Sequence, residues 1–558
     1  MKTLTNFALA FAIAFSLAVS SSIVINPVGA QEPPSVDLAL VDAIFGEFDG
    51  TRTPGCAVGV SSGGIPLLLR AYGMAELEHD VANMAETIFE PGSVSKQFTA
   101  AATVLLALDG KISLDDDIRD HIPELQDYGE VVTIRHLLNH TSGLRDWGSI
   151  AGIEGWPRTR RAHTHMHVLD IASRQMSLNY PPGEYYSYTN TGYNLQAILV
   201  ERVSGMPFAE FSKKRIFEPL GMTRTEWRDD FTRIVKDRAI AYRSIRDGGW
   251  SILMPFEDVH GNGGLLTTVQ DLLRFTQNLE TGELGGPRFI EEMHRQGVLN
   301  SGQTIAYASG LQLRDYRGVP IVEHSGSTAG YRGHLARFPI QGIAVSVMCN
   351  ATTGNAGQLL RQVADLYLGE AVSEGAGAAP EPEVGLSGER LESFAGGYRD
   401  MRRETLVRIT ATEEGIRLGR TDLIPVTENR FEAGSTVLEF EAAPFADGRP
   451  AAVMNTSGAD NVRLEPVPEF DPTEAQLTEY TGTYRSDEAE ATYTVEIENG
   501  TFVLKDRWGQ GQLLQPLYPD AFGGGGTTYI FRRDSSGMIV EMSLSQGRVW
   551  DLRFQKVG

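Results

Sequence analysis

Phe89-Glu90-Pro91-Gly92-Ser93-Val94-Ser95-Lys96-Gln97-Phe98-Thr99 is the stretch on which the reading of this chain turns. Pro91-Gly92 favours a turn. The apolar run from Phe98 to Leu108, ended by Asp109-Gly110, has the pattern of a helix. Ser93 therefore falls at or near a helix N-terminus, where unpaired backbone N–H groups and the helix dipole favour negative charge. Lys96, three residues on, shares its face. A serine hydroxyl is a weak nucleophile until a neighbour takes its proton, and a lysine desolvated beside it can do so. Taken alone, S-x-x-K also fits an N-cap serine beside a solvated lysine.

Two further patterns strengthen the catalytic reading. Tyr188-Thr189-Asn190 is the only Y-x-N in the chain, and His324-Ser325-Gly326 is the only H-x-G. Tyr188 can act as a phenolate base if a nearby ammonium stabilises its anion. Asn190 can hold Lys96 and a substrate amide. Gly326 lets the backbone approach a ligand, so the Ser327 N–H could join that of Ser93 in an oxyanion hole. The order S-x-x-K, Y-x-N, H-x-G resembles the penicillin-recognising serine hydrolases: class C β-lactamases, DD-peptidases, D-aminopeptidases and related esterases. Ile134 to Leu144, Pro182-Gly183-Glu184, Thr191-Gly192-Tyr193 and Gly263 to Thr268 with Asp271 resemble segments of that family too, and the likeness covers roughly residues 38 to 368.

The resemblance implies that Ser93 is an acyl-enzyme nucleophile, with Lys96 and Tyr188 moving its proton and Asn190, His324, Gly326 and Ser327 positioning substrate. It implies no metal and no cofactor, and a small-molecule or peptide substrate. Most β-lactamases and DD-peptidases carry K-T-G at the third motif, whose lysine binds a substrate carboxylate. Here His324 stands there, only partly charged at neutral pH. That favours substrates without an obligatory carboxylate and a D-aminopeptidase-like activity, with esterase or β-lactamase/DD-carboxypeptidase as alternatives. A different class is a non-catalytic cell-wall or peptide-binding protein on the same scaffold.

Two strand-like runs come early (Cys56 to Val60, Ile65 to Tyr72) and three late (Pro320 to His324, Tyr331 to Phe338, Ile343 to Cys349). They predict an α+β catalytic domain over 31–372, with one five-stranded antiparallel sheet flanked by helices. Residues 373–387 read as a linker. Beyond it Phe394-Ala395-Gly396-Gly397-Tyr398-Arg399 repeats as Tyr480-Thr481-Gly482-Thr483-Tyr484-Arg485. Two small antiparallel β-barrel-like domains, 388–470 and 471–558, are expected, with one merged barrel as the alternative. D-aminopeptidases of the resembling family share that architecture.

Of 558 residues, 49 are basic and 72 acidic, a formal charge of −23, which argues against nucleic acid as a partner. Lys2 is the only charge before an apolar run from Phe7 to Val28, and Val28-Gly29-Ala30 fits a cleavage site. Residues 1–30 read as a signal peptide for export to the periplasm or outside, with no stable membrane association after its removal; an uncleaved anchor is the alternative. Cys56 and Cys349 sit in strand-like runs and are expected as two buried thiols, a cross-strand disulfide being the other reading.

Other patterns read as bland. Gly59-Val60-Ser61-Ser62-Gly63 imitates a nucleophile elbow but leads into a strand. Ser177-Leu178-Asn179 imitates the second motif. His163, His165 and His167 flank a helix start, and Gly523 to Gly526 is a loop that could reach over the active site.

Overall fold

The computed structural model describes residues 36–48, 50–372, 384–444, 448–456 and 460–557. The expected signal peptide and most of the expected linker lie outside the described residues. Strands β1 (Cys56–Ser62) and β2 (Ile65–Tyr72) form a hairpin. Its turn residues Gly63 and Gly64 have φ of +51° and +82°, a backbone that glycine adopts without strain. They join β3 (Gln312–Tyr316), β4 (Val319–Thr328), β5 (Tyr331–Phe338) and β6 (Ile343–Cys349) in an antiparallel sheet of order β2-β1-β6-β5-β4-β3. The sheet has six strands where the sequence suggests five. The extra strand is the edge strand β3, whose Arg314 and Asp315 are exposed, so it lacks the apolar run that marks the others.

The helices around the sheet and cleft are α1 (Lys96–Leu108), α2 (Trp147–Glu154), α3 (His165–Ser173), α4 (Thr191–Ser204), α5 (Val269–Thr281) and α6 (Ala356–Leu368). β1 and β6 are buried almost throughout, because helices cover both faces of the sheet. Val58, Val60, Val345 and Val347 pack with Leu360 and Val363 of α6, whereas Ala57, Leu335 and Met348 belong to the larger core that includes α1 and α5. Gly59 admits α5: a Cβ there would lie 3.0 Å from Leu273 Cδ1 and 3.3 Å from Val269 Cβ.

Cys56 and Cys349 form a disulfide, which corrects the expectation of two free thiols. Each cysteine sits in an apolar run that gives no hint of a partner. The β1–β6 register sets them directly opposite each other, with Cα atoms 4.0 Å apart.

Past the catalytic domain, eight strands between Gly396 and Pro466 close into a barrel, and nine between Gly482 and Lys556 form a second sheet. Among the described residues no ladder joins the two. The sequence repeat is one local device used twice. Gly396 and Gly482 have φ of +137° and +144°, and the hydroxyls of Tyr398 and Tyr484 donate to the carbonyls of Phe394 and Tyr480 at 2.9 and 2.7 Å. The second sheet is no loose appendage, since Tyr484, Tyr493 and Phe554 share one core with Trp147 and Ile150 of α2 and Val168 of α3. Among the described residues no helix is long and apolar enough to cross a membrane.

The disulfide closes a loop of 293 residues. The double variant Cys56→Ala/Cys349→Ala is expected to lose about 2–5 kcal/mol of stability in denaturant unfolding. Labelling of Ser93 by a fluorophosphonate should persist, because the bond lies on the α6 face of the sheet.

Candidate active site

Ser93 sits in a 3-10 turn, Gly92–Ser95, that runs directly into α1. Gly92 is required there: its φ is +56°, and a Cβ would fall 2.5 Å from the Ser327 nitrogen. Glu90, fully buried, is held by Arg228 at 3.0 Å and Arg238 at 3.5 Å, and Phe89 exchanges two backbone hydrogen bonds with Thr267. These contacts fix the segment on both sides of the serine. Lys96 opens α1 and has 0% exposure, so the reading of it as a solvated surface residue fails. Its Nζ donates to Ser93 Oγ at 3.3 Å, Asn190 Oδ1 at 3.0 Å and the Asn262 carbonyl at 2.7 Å. Burial holds its pKa well below the usual lysine value, helped by the positive charges of Arg548 and Arg158 and opposed by Asp146.

Tyr188 and Asn190 enter on the loop before α4. Lys96 Nζ lies 4.8 Å from the Tyr188 ring centre. The Tyr188 hydroxyl is buried and makes no hydrogen bond of good geometry, although Ser93 is near enough to lower its pKa slightly. Burial dominates and pushes the phenol upward. The loop is tied to His140 of the 134–144 segment: Ser187 N–H donates to the His140 carbonyl at 2.9 Å, and Thr189 N–H to His140 Nδ1 at 3.3 Å. Asn190 N–H donates to Asp146 Oδ2 at 2.8 Å.

β4 brings the third motif against the first. A Cβ on Gly326 would lie 1.9 Å from the Pro91 carbonyl oxygen and 2.6 Å from Ser93 N, so only glycine permits this approach. His324 Nδ1 donates to the Ser325 carbonyl at 2.7 Å, which leaves Nε2 to accept from the Tyr307 hydroxyl at 3.0 Å. Burial and the neighbouring Lys96 depress its pKa to about 3. The imidazole is therefore neutral, not partly charged, at physiological pH. Ser327 is exposed at the mouth of the cleft.

Of the seven residues singled out from the sequence, Ser93, Tyr188, Asn190, His324, Gly326 and Ser327 line a cavity of about 440 Å³, and Lys96 lies buried behind that lining, bonded to Ser93 and Asn190. Sequence reading missed Asp146, Asn262, Tyr307, Arg158 and Arg548. Asn262 stands beside Gly263, within reach of a motif already noticed. Arg548 carries no local signal, since it arrives on the turn between the strands Ile539–Gln546 and Val549–Lys556 of the C-terminal sheet. The Gly523–Gly526 turn, expected as the reaching loop, instead packs against Gln512 and Leu517.

The decoys have structural roles. Ser61 is buried in β1, and Asn179 holds the backbone of Arg548 and Trp550. His167 caps α3 and His165 bonds the His260 carbonyl.

A serine turn leading into a helix, a buried lysine beneath it and an antiparallel strand closing the cleft are the marks of a serine hydrolase of the penicillin-recognising class. A family model described as Beta-lactamase matches residues 41–368, and the chain belongs to that family of serine hydrolases. It is similar to a D-aminopeptidase of Gluconobacter oxydans (strain 621H), 26% identical over 496 residues that cover 87% of this chain and 90% of the relative. Penicillin-binding protein 4* of Bacillus subtilis (strain 168) is 27% identical over 438 residues, 74% of this chain and 94% of its own. The octameric penicillin-binding protein homologue from Pyrococcus abyssi superposes with a TM-score of 0.54 at 25% identity, covering 77% of this chain and 99% of that one. The β-lactamase/transpeptidase-like fold here is extended by C-terminal β-rich domains, one a closed barrel and the other nearly closed.

An amine accepts a proton only when neutral, so reaction at Ser93 should quicken as pH rises through the Lys96 pKa. The labelling rate with a neutral fluorophosphonate is expected to climb along a limb well below the ordinary lysine range. His324→Asn should leave the position of that limb unchanged, because His324 is already neutral above about 3. A limb near 6.5 that vanishes in the variant would assign it to the histidine instead.

Proposed function

We propose that Ser93 is the nucleophile of an acyl-enzyme hydrolase acting on amide (or ester) bonds of small peptides or related substrates, as in the D-aminopeptidases to which the chain is similar. One observation carries this: a fully buried lysine amine, its pKa depressed, 3.3 Å from a serine hydroxyl at a helix start. Ser93 Oγ attacks the scissile carbonyl while its proton passes to the Lys96 amine. The upward shift of Tyr188 favours a neutral phenol in the resting site, so Tyr188 relays the proton rather than resting as a phenolate. The proton then goes to the departing amine or alkoxide, which leaves the acyl group on Ser93. Water, deprotonated by the same pair, adds to the ester, and its collapse frees the acid and restores the serine. The close approach of Gly326 supports an oxyanion hole built from the Ser93 and Ser327 N–H groups.

The buried amine also speaks against a retired binding scaffold, since a desolvated lysine without a carboxylate partner is costly to keep without use. Export through the amino-terminal segment, to the periplasm or beyond, is part of the proposal. The Cys56–Cys349 disulfide supports it, because such bonds persist in oxidising compartments.

A fluorophosphonate is expected to label the wild-type protein and not Ser93→Ala. Lys96→Ala should lower hydrolysis of p-nitrophenyl esters and aminoacyl amides by about 10²–10⁴-fold. Equal labelling of wild type and Ser93→Ala would overturn the assignment.

A further inference from the structure

The charged groups on the wall of the cleft are of one sign. Among the described residues lining the cavity, Arg158 and Arg548 are charged and none is acidic; Asn190, Asn262, Gln312 and Thr328 are neutral. Both guanidiniums have counter-charges set behind them. Arg158 pairs through Nε with Glu257 Oε2 at 2.9 Å and through Nη2 with the other oxygen, and Nη1 takes no part. Arg548 has Asp146 Oδ2 at 3.6 Å and, among the described residues, donates no hydrogen bond from its guanidinium. The side chains of Glu257 and Asp146 are each 4% exposed, against 35% for Arg158 and 41% for Arg548. The cations face the cavity and the anions do not.

The Arg548 turn is also held firmly. Asn179 Nδ2 donates to the Arg548 carbonyl at 3.1 Å, Trp550 N–H to Asn179 Oδ1 at 2.8 Å, and Arg145 Nη2 to the Trp550 carbonyl at 3.1 Å. Arg145 is anchored in turn by Glu488 at 2.8 Å. The Arg548 guanidinium stacks over the Tyr188 ring at 4.8 Å, beside the residue that faces Ser93. A cation with spare donors, half exposed, packed on a reaction-centre tyrosine and delivered by a braced turn is a receptor for an anion. In a chain of net charge −23 it is a local exception.

We propose that Arg548 and Arg158 form a carboxylate subsite, so that the substrate bears a carboxylate close to its scissile carbonyl. A free ammonium would meet only neutral acceptors and two like charges there. The inference rests on the acyl-enzyme reading and narrows it to acidic acyl groups, against the free-amine substrates that a D-aminopeptidase-like activity would take. It also revises the expectation drawn from the missing K-T-G lysine: the charge absent from the third motif comes from a loop before α3 and from the C-terminal sheet. Arginine suits the task, because its planar fork matches a carboxylate with two parallel hydrogen bonds.

Three amides of matched length test it: glutaryl-, pentanoyl- and 5-aminopentanoyl-p-nitroanilide, differing in the group at the far end of the acyl chain. Binding to Ser93→Ala protein is measured by calorimetry, so no turnover is needed. The glutaryl amide is expected to bind at least about tenfold more tightly than the pentanoyl amide. In the same background Arg548→Gln should abolish most of that ratio, Arg548→Lys should keep part of it, and Arg548→Glu should turn the preference toward the aminopentanoyl amide. A glutaryl amide that binds no better than the pentanoyl one, including not at all, overturns the subsite, as does tightest binding of the aminopentanoyl amide. Failure of Ser93 to label in the wild type would instead remove the acylation reading while leaving this preference measurable.

Discussion

Lys96 sits in the protein interior with no carboxylate in hydrogen-bonding reach among the described residues, and much of the catalytic domain is arranged to make that tolerable. Stripping water from an ammonium is expensive, so the group gives up its proton more readily and relies on neutral acceptors. It has three: Ser93 Oγ, Asn190 Oδ1 and the Asn262 carbonyl. Each must be held in place by something else. Asn194 bonds the side chain of Asn262 at 2.9 Å and is itself bonded by Trp147 Nε1 at 2.9 Å. Asp146 takes the Asn190 N–H and also caps α2. Gly261, at φ +97°, lets its loop lie against Ala197 and Tyr193 of α4 and hand its carbonyl to Thr99 of α1. The helices around the cleft are thus connected through the acceptors of one amine.

The C-terminal sheet acts on the same amine from outside the catalytic domain. Its shared core with α2 and α3 fixes its position, and its Arg548 turn adds a positive charge that lowers the proton affinity of Lys96. Domain architecture and catalytic electrostatics are therefore one problem here. Removing the sheet would expose Trp147 and Ile150 of α2, the helix whose N-cap, Asp146, accepts from Asn190 N–H.

The parts of the site that sequence reveals are those whose chemistry is written in adjacent residues. Ser93 and Lys96 are one helical turn apart, Tyr188 and Asn190 flank a single residue, and Gly326 follows His324 closely, so short spacing records their geometry. The paired strands are visible because β1 and β6 are apolar on both faces; β3 is not, because as an edge strand it needs little apolar surface. The Cys56–Cys349 bond is a matter of register between strands almost 300 residues apart, and register leaves no mark in either strand alone. Arg548 is invisible for a similar reason: its place at the cleft is set by how a distant sheet docks. The protonation of His324 is not legible in the sequence because residue type gives only an ordinary pKa, whereas full burial and the neighbouring Lys96 decide the actual one.

These electrostatics connect substrate charge to the reactivity of the base. In the free protein burial, and with it the charges of Arg548 and Arg158, depress the Lys96 pKa, which favours the neutral amine, the form able to accept a proton. That same depression weakens its pull on the serine proton, because a base of low pKa is a poorer acceptor. A carboxylate bound between the two guanidiniums would cancel part of their field. Lys96 would then regain basicity when a substrate is present and Ser93 must lose its proton. A substrate carrying an ammonium would act in the opposite sense, deepening the depression as it bound. On this arrangement the charge of the acyl group is selected twice, once by contact with the arginines and once through the base that they tune. His324 is suited to that scheme by being neutral, since a fixed cation at the third motif would hold Lys96 depressed whatever was bound.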